Sequence, residues 1–166
     1  NIITLSDDEP TDITEKYFEI TNEVAPGVEN NKATISFFLD KTIKLIRENL
    51  LAHSATFFWL NPSTRKLNPA AYSTGVDDFR AQPISVENDL LSQVVNYEKP
   101  VCINGIKEEN EQNLIKYYNS PHGIKCFAAV PVFFDKKIIA VLAIDSKDPE
   151  AFGTESLFAL GRYVRI

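Results

Sequence analysis

The 166-residue chain has no methionine, one tryptophan, two cysteines and two histidines, and each scarcity excludes something. Cys102 and Cys126 are too few and too far apart for a disulfide framework or a zinc knuckle. No C-x-x-C or H-x-x-x-H pair joins them to His53 or His122 as the start of a metal site. Such cysteine usage goes by default with a reduced, cytoplasmic setting. No apolar stretch approaches the ~20 residues of a membrane span, and no charged-then-apolar segment opens the chain as a secretion signal would, so no membrane partner is expected. There is no excess of base either. The formal net charge is -6, and residues 1–23 alone hold seven acids against the single base Lys16, which leaves the rest of the chain neutral. A neutral body without a basic stripe attracts phosphate backbones weakly and argues against a nucleic-acid partner. The chain lacks an initiating methionine and stops at "LGRYVRI" within an amphipathic run, so we expect both ends to be cut from a longer polypeptide.

What remains fits one domain with a lead-in. Residues 1–30 read as an acidic lead-in, with Ile13, Tyr17, Phe18 and Ile20 spaced for a short helix in "TDITEKYFEITNEV". The Pro- and Gly-bearing stretch Ala25 to Asn31 reads as the boundary. Residues 31–166 form the domain, its last helix truncated. Ile35, Phe38, Leu39, Thr42, Ile43, Ile46 and Leu50 recur at helical spacing and predict a long helix from Ala33 to Leu51. "SATFFWLN" and "KLNPAAYST" predict a strand pair, with Pro69 confining the second run to a sheet edge. "VENDLLSQVVNYE" returns to helical period, "PVCIN" is a short strand, and a short helix is expected from about Glu109 to Tyr118. "KCFAAVPVFF" and "KIIAVLAIDS" are the two best strands, joined at Asp135-Lys136. Ile138 to Ile144 is apolar at consecutive positions, the pattern of a central strand covered on both faces. A final helix begins near Thr154. The order predicts an α+β domain, an antiparallel sheet between helices.

These residues resemble the GAF domain family. The likeness rests on Pro131 closing a strand of small apolar residues, the Asp135-Lys136 hairpin and Val141-Leu142. Asp145, Ala151-Phe152 and the helix followed by Lys99-Pro100-Val101 complete it, over about Lys32 to Val164. The resemblance implies a GAF-like, PAS-related fold: a central antiparallel sheet in the order 2-1-5-4-3 for its core strands, helices on both faces, and the first and last helices together on one. It also implies a non-enzymatic sensory domain that binds an unidentified small molecule beneath the loop from Ile106 to Ile124. Such a domain forms a homodimer through its terminal helices and acts on a covalently linked output domain, a kinase, cyclase or regulator. The sequence assigns no cofactor. The alternative reading is a dimerisation or spacer module whose pocket is filled by its own aromatic side chains. Where such domains often carry glycines at the start of the middle helix, this chain has Asp89 and Ser92, which implies a differently shaped pocket mouth.

The candidate ligand-binding residues are Trp59, Tyr72, Phe79, Tyr117, Tyr118, His122, Cys126 and Ala128, aromatic groups with a few polar ones as in ligand pockets generally. Alternation sends Phe57 and Trp59 to one sheet face and Phe58 to the other, without saying which face holds the pocket. Relatives that reduce free methionine sulfoxide need a cysteine where this chain has Leu91, and the cysteine-histidine pair of bilin-binding relatives is absent. The cyclic-nucleotide signature is also missing, since Asn31-Lys32 precedes the long helix. Asp145, Asp148 and Glu150 lack calcium-loop spacing and read as a solvated turn that ends the strand.

Overall fold

The two most apolar runs of the chain pair with each other. β5 (Cys126–Phe134) and β6 (Lys137–Ser146) form an antiparallel hairpin closed by Asp135 and Lys136, whose φ angles of 49° and 62° are the left-handed pair that a two-residue turn demands. The computed structural model describes residues 28–165, so the expected lead-in helix lies outside the described residues. Around the hairpin the chain adds α1 (Val28–Asn49), β1 (Ser54–Asn61), β2 (Lys66–Thr74), β3 (Ile84–Ser85), α2 (Leu90–Tyr97), β4 (Val101–Asn104), α3 (Glu108–Leu114) and α4 (Thr154–Tyr163).

All strand pairs are antiparallel, in the order β3-β2-β1-β6-β5-β4. Without the two-residue β3 this is the expected 2-1-5-4-3 arrangement. β6 lies between β1 and β5, and its residues from Ala140 to Ile144 are all buried, as a strand covered on both faces requires. The prolines fall where missing amides cost little. Pro69 lies beyond the stretch of β2 that β3 pairs, Lys66 and Leu67, and next to a β-bulge at Phe57/Phe58. Pro131 lies past the last pairing of β4, Val101 with Ala129.

The sheet separates two cores. On the first face Leu39, Ile43 and Ile46 of α1 and Leu157 and Leu160 of α4 pack on Ala55, Phe57, Cys126, Ala128, Leu142 and Ile144. Each large aliphatic side chain buried there stabilises the fold by about 1.5–3 kcal/mol, as an upper bound. Asn49 ties the helices together by donating from Nδ2 to Tyr163 Oη at 2.9 Å. On the second face α2 and the long connections cover Phe58, Phe127, Ala129, Val141 and Ala143. β3 was not expected, and beside it β2 is the edge strand that Pro69 implied only beyond Leu67. Two helices differ from expectation. α1 starts at Val28, inside the stretch read as a boundary, and α3 ends at Leu114 rather than near Tyr118. The cause of the second difference is Ile115, which is already extended and sends Tyr117 and Tyr118 down onto the sheet as buried side chains.

Candidate functional site

Strand register assembles the floor of the second face. One row runs Phe127, Asp145, Ser54, Thr74 across β5, β6, β1 and β2; the next runs Ala129, Ala143, Thr56, Tyr72. The second row has small side chains at Ala129, Ala143 and Thr56, and the first is polar at Asp145, Ser54 and Thr74.

Asp145 is fully buried. Its Oδ2 accepts from Tyr117 Oη at 2.7 Å and Tyr118 Oη at 2.6 Å, and its Oδ1 accepts from the Ser54 amide at 2.9 Å. Every donor is neutral. Burial pushes the Asp145 carboxyl up to about 6, against the opposing pull of the two phenols and the amide, and the nearby Glu111 carboxylate adds to the rise. Both phenols are pushed above the usual tyrosine value, first by burial and then by the Asp145 charge, so they remain donors. Ser54 extends the network: its Oγ lies 2.5 Å from Tyr118 Oη and donates to Thr74 Oγ1 at 2.7 Å. One row along, the buried Thr56 hydroxyl has no hydrogen-bond partner.

Two straps roof this floor. Residues 76–80, after β2, and residues 117–122, after α3, meet in an antiparallel bridge of Phe79 with Tyr118. The amides of Arg80 and Asn119 donate to the carbonyls of Tyr117 and Asp78 at 2.7 and 3.1 Å. Asp78 clasps the second strap through the Ser120 amide and hydroxyl at 3.0 and 2.5 Å and His122 Nε2 at 2.6 Å, and the Ser120 and His122 bonds hold its carboxyl below the usual range. From below, the buried Glu111 carboxylate accepts from the amides of His122, at 2.6 Å, and Ile124. The aromatic side chains close the roof. Tyr72 and Phe79 stack at 4.0 Å between centroids, Phe79 meets Tyr117 at 5.6 Å, Tyr117 meets Tyr118 at 4.9 Å, and Tyr118 meets His122 at 4.8 Å. Tyr72 is still 44% exposed, so the roof opens to solvent at its end.

The structure thus unites five of the eight expected site residues, Tyr72, Phe79, Tyr117, Tyr118 and His122, on one face. It places Trp59, Cys126 and Ala128 on the other, packed with α1 and α4, because strand alternation puts Trp59 with Phe57 and Cys126 with Ala128. Cys126 donates to Asn104 Oδ1 at 3.1 Å, and burial pushes the neighbouring Cys102 thiol up, away from a reactive thiolate. Neither thiol shares a face with Asp145. Asp145 itself corrects the reading of a solvated acidic turn. β6 continues two residues beyond Ile144, pairing Asp145 with both Ser54 and Phe127, while Asp148 and Glu150 are exposed as expected. Among the described residues no group of three or more histidines, cysteines or acids could hold a metal ion. Asp89 begins α2 as a buried side chain: Ser92 donates to its Oδ1, its Oδ2 has no partner, and burial pushes its carboxyl up.

Comparison with known proteins gives the same architecture. The chain is similar to the GAF domain of a phosphoenolpyruvate-protein phosphotransferase from Acinetobacter, at 14% identity and a TM-score of 0.66, covering 91% of this chain and 87% of that one. It is similar as well to the type II free methionine-R-sulfoxide reductase of Thermoplasma acidophilum, at 18% identity and a TM-score of 0.65, covering 80% and 89%. A GAF domain/HD domain protein from Geobacter sulfurreducens follows at 13% identity and a TM-score of 0.60, covering 79% and 87%. At these identities the likeness shows the fold. No curated protein sequence matches the chain. Among the described residues no helix is long and apolar enough to cross a membrane. The family model described as "GAF domain" matches residues 33–164. With a sheet in the order that family implies and a family model matched over most of its length, this chain belongs to the GAF domain family, a regulatory family whose membership supports a non-catalytic role.

Proposed function

We propose that this chain is the small-molecule-sensing domain of a larger signalling protein, with its ligand site on the second sheet face beneath residues 76–80 and 117–122. One observation carries the reading: a fully buried carboxylate, Asp145, is served only by neutral donors under a roof made of two loop straps. A buried charge without a counter-charge costs several kcal/mol, and such an arrangement persists where function uses it. The first strap is a loop clasped to the second by hydrogen bonds at the surface, the kind of element that opens locally, whereas buried bonds to Asp145 and Glu111 anchor the second.

Ligand occupancy under the straps would reach a partner domain through α1 and α4, which pack on the opposite face of the same strands. Phe37 and Leu45 on α1 and Phe158 on α4 remain exposed there, and we assign them to a homodimer contact continuing toward a linked output domain. The second reading, a spacer with no ligand, is favoured by the direct contact of the Tyr72, Phe79, Tyr117 and Tyr118 rings, which fill the face themselves. Native mass spectrometry of the chain incubated with a panel of cell metabolites separates the two. A retained small molecule, lost on Asp145→Asn, supports sensing. Retention of nothing by either the native chain or a Phe79→Ala variant supports the spacer.

A further inference from the structure

The carboxyl groups buried on the second face have no buried lysine or arginine beside them. Asp145, Asp89 and Glu111 are all buried, whereas no lysine or arginine is buried among the described residues. Glu111 spends its carboxylate on two strap amides, but Asp145 meets only neutral donors and Asp89 Oδ2 meets none. Of the basic groups nearby, Arg47 and Lys116 are half-buried and Lys147 is exposed. His53, whose buried Nε2 has no hydrogen-bond partner, and His122 flank Tyr118 with centroids 6.3 and 4.8 Å away. The rings of Tyr72, Phe79, Tyr117 and Tyr118 pack together over the same sheet face, and the unpaired Thr56 hydroxyl lies on that face in register with Ala143 and Tyr72. A ring face attracts a cation within about 6 Å, and a set of such faces around an anionic floor selects ammonium groups over neutral ones. A free hydroxyl beneath them gives a ligand one further polar anchor.

We propose that this site takes a small organic cation, an alkylammonium, whose charge lies over Asp145 among Tyr72, Tyr117 and Tyr118, with Phe79 as the plug it displaces. The inference rests on the sensing reading and names its ligand class. Phe79 fits the part of plug because it belongs to a loop strap, residues 76–80, rather than to the sheet, and it contacts all three tyrosines. A metal ion is a poorer occupant, since no group of ligating side chains among the described residues could hold one.

The test is calorimetric titration of the whole chain with two pairs matched in shape and differing in charge: n-butylammonium against n-butanol, and choline against 3,3-dimethyl-1-butanol. At least one ammonium should bind tenfold or more tightly than its neutral partner. Asp145→Asn should bring that ratio close to one, and Phe79→Ala should strengthen ammonium binding severalfold. Neutral members binding as tightly as the charged ones, or an unchanged ratio in Asp145→Asn, would overturn the proposal. So would the absence of ammonium binding in both the native chain and Phe79→Ala. The charge pairs on the native chain decide the matter even if a variant fails to fold. A neutral or anionic metabolite retained in native mass spectrometry, with no ammonium bound, would refute the cation and leave the sensing reading intact.

Discussion

Replacing Asp145 by asparagine should make the protein more stable at pH 8 and give it no such advantage near pH 4.5. The folded structure raises this carboxyl from 3.8 to about 6. A raised carboxyl contributes stability that is fully present below its unfolded value and lost as pH rises through its folded value. The shift is worth about 3 kcal/mol by pH 8, of which about 1 kcal/mol is already lost at pH 4.5. Asparagine removes that dependence at a cost. Its carbonyl can accept both phenols, but its amide then faces the Ser54 amide donor to donor, a loss of about 1 kcal/mol. The net expectation is a gain of about 2 kcal/mol at pH 8 and about none at pH 4.5. Urea denaturation of both proteins at the two pH values reads the difference from the midpoints. A variant less stable than the native chain at pH 8, or a difference that does not change with pH, would refute the buried-charge reasoning.

Three other substitutions probe the floor and the straps. Thr56→Val replaces an unpaired buried hydroxyl with a methyl of the same shape and should stabilise the ligand-free protein by about 1 kcal/mol in thermal denaturation; a loss would show that the hydroxyl has a partner. Glu111→Gln keeps one acceptor oxygen where two strap amides now bond, so it should cost about 1–3 kcal/mol in the same assay, and an unchanged midpoint would contradict the buttress. Asp78→Ala releases Ser120 and His122 at the surface. It should speed amide hydrogen exchange of Ser120 several-fold while leaving that of Val141 and Leu142 unchanged, and equal protection of Ser120 in both proteins would show that the clasp does not hold the strap.

The hairpin of β5 and β6 was legible because its signals are local. Alternation, an uninterrupted apolar run and a polar two-residue turn lie within a few residues of one another. The helix α1 was legible for the same reason, through the spacing of Leu39, Ile43 and Ile46. Asp145 was not, since in sequence it is the first polar residue after an apolar run, which reads as the end of a strand. Its burial depends on register with Ser54, on the far side of the chain, and on phenols that precede it by 27 and 28 positions. The available signal was the adjacent Tyr117-Tyr118 pair, two buried hydroxyls that need an acceptor. Parity linked Trp59 to Phe57 and Cys126 to Ala128, but only the packing of α1 and α4 reveals which face those residues share.

A ligand should meet the second face of the sheet and not the first. Two-dimensional amide NMR of the chain, titrated with the metabolite panel and the ammonium series, tests this directly. The expected shifts saturate together and are largest at Ser54, Phe79, Tyr117, Tyr118, Ser120 and Asp145, with smaller ones at Leu39, Ile43 and Leu157 where α1 and α4 pack on the far face. Shifts centred instead on Trp59, Cys126 and Ala128, or none with any compound, would contradict this placement of the site.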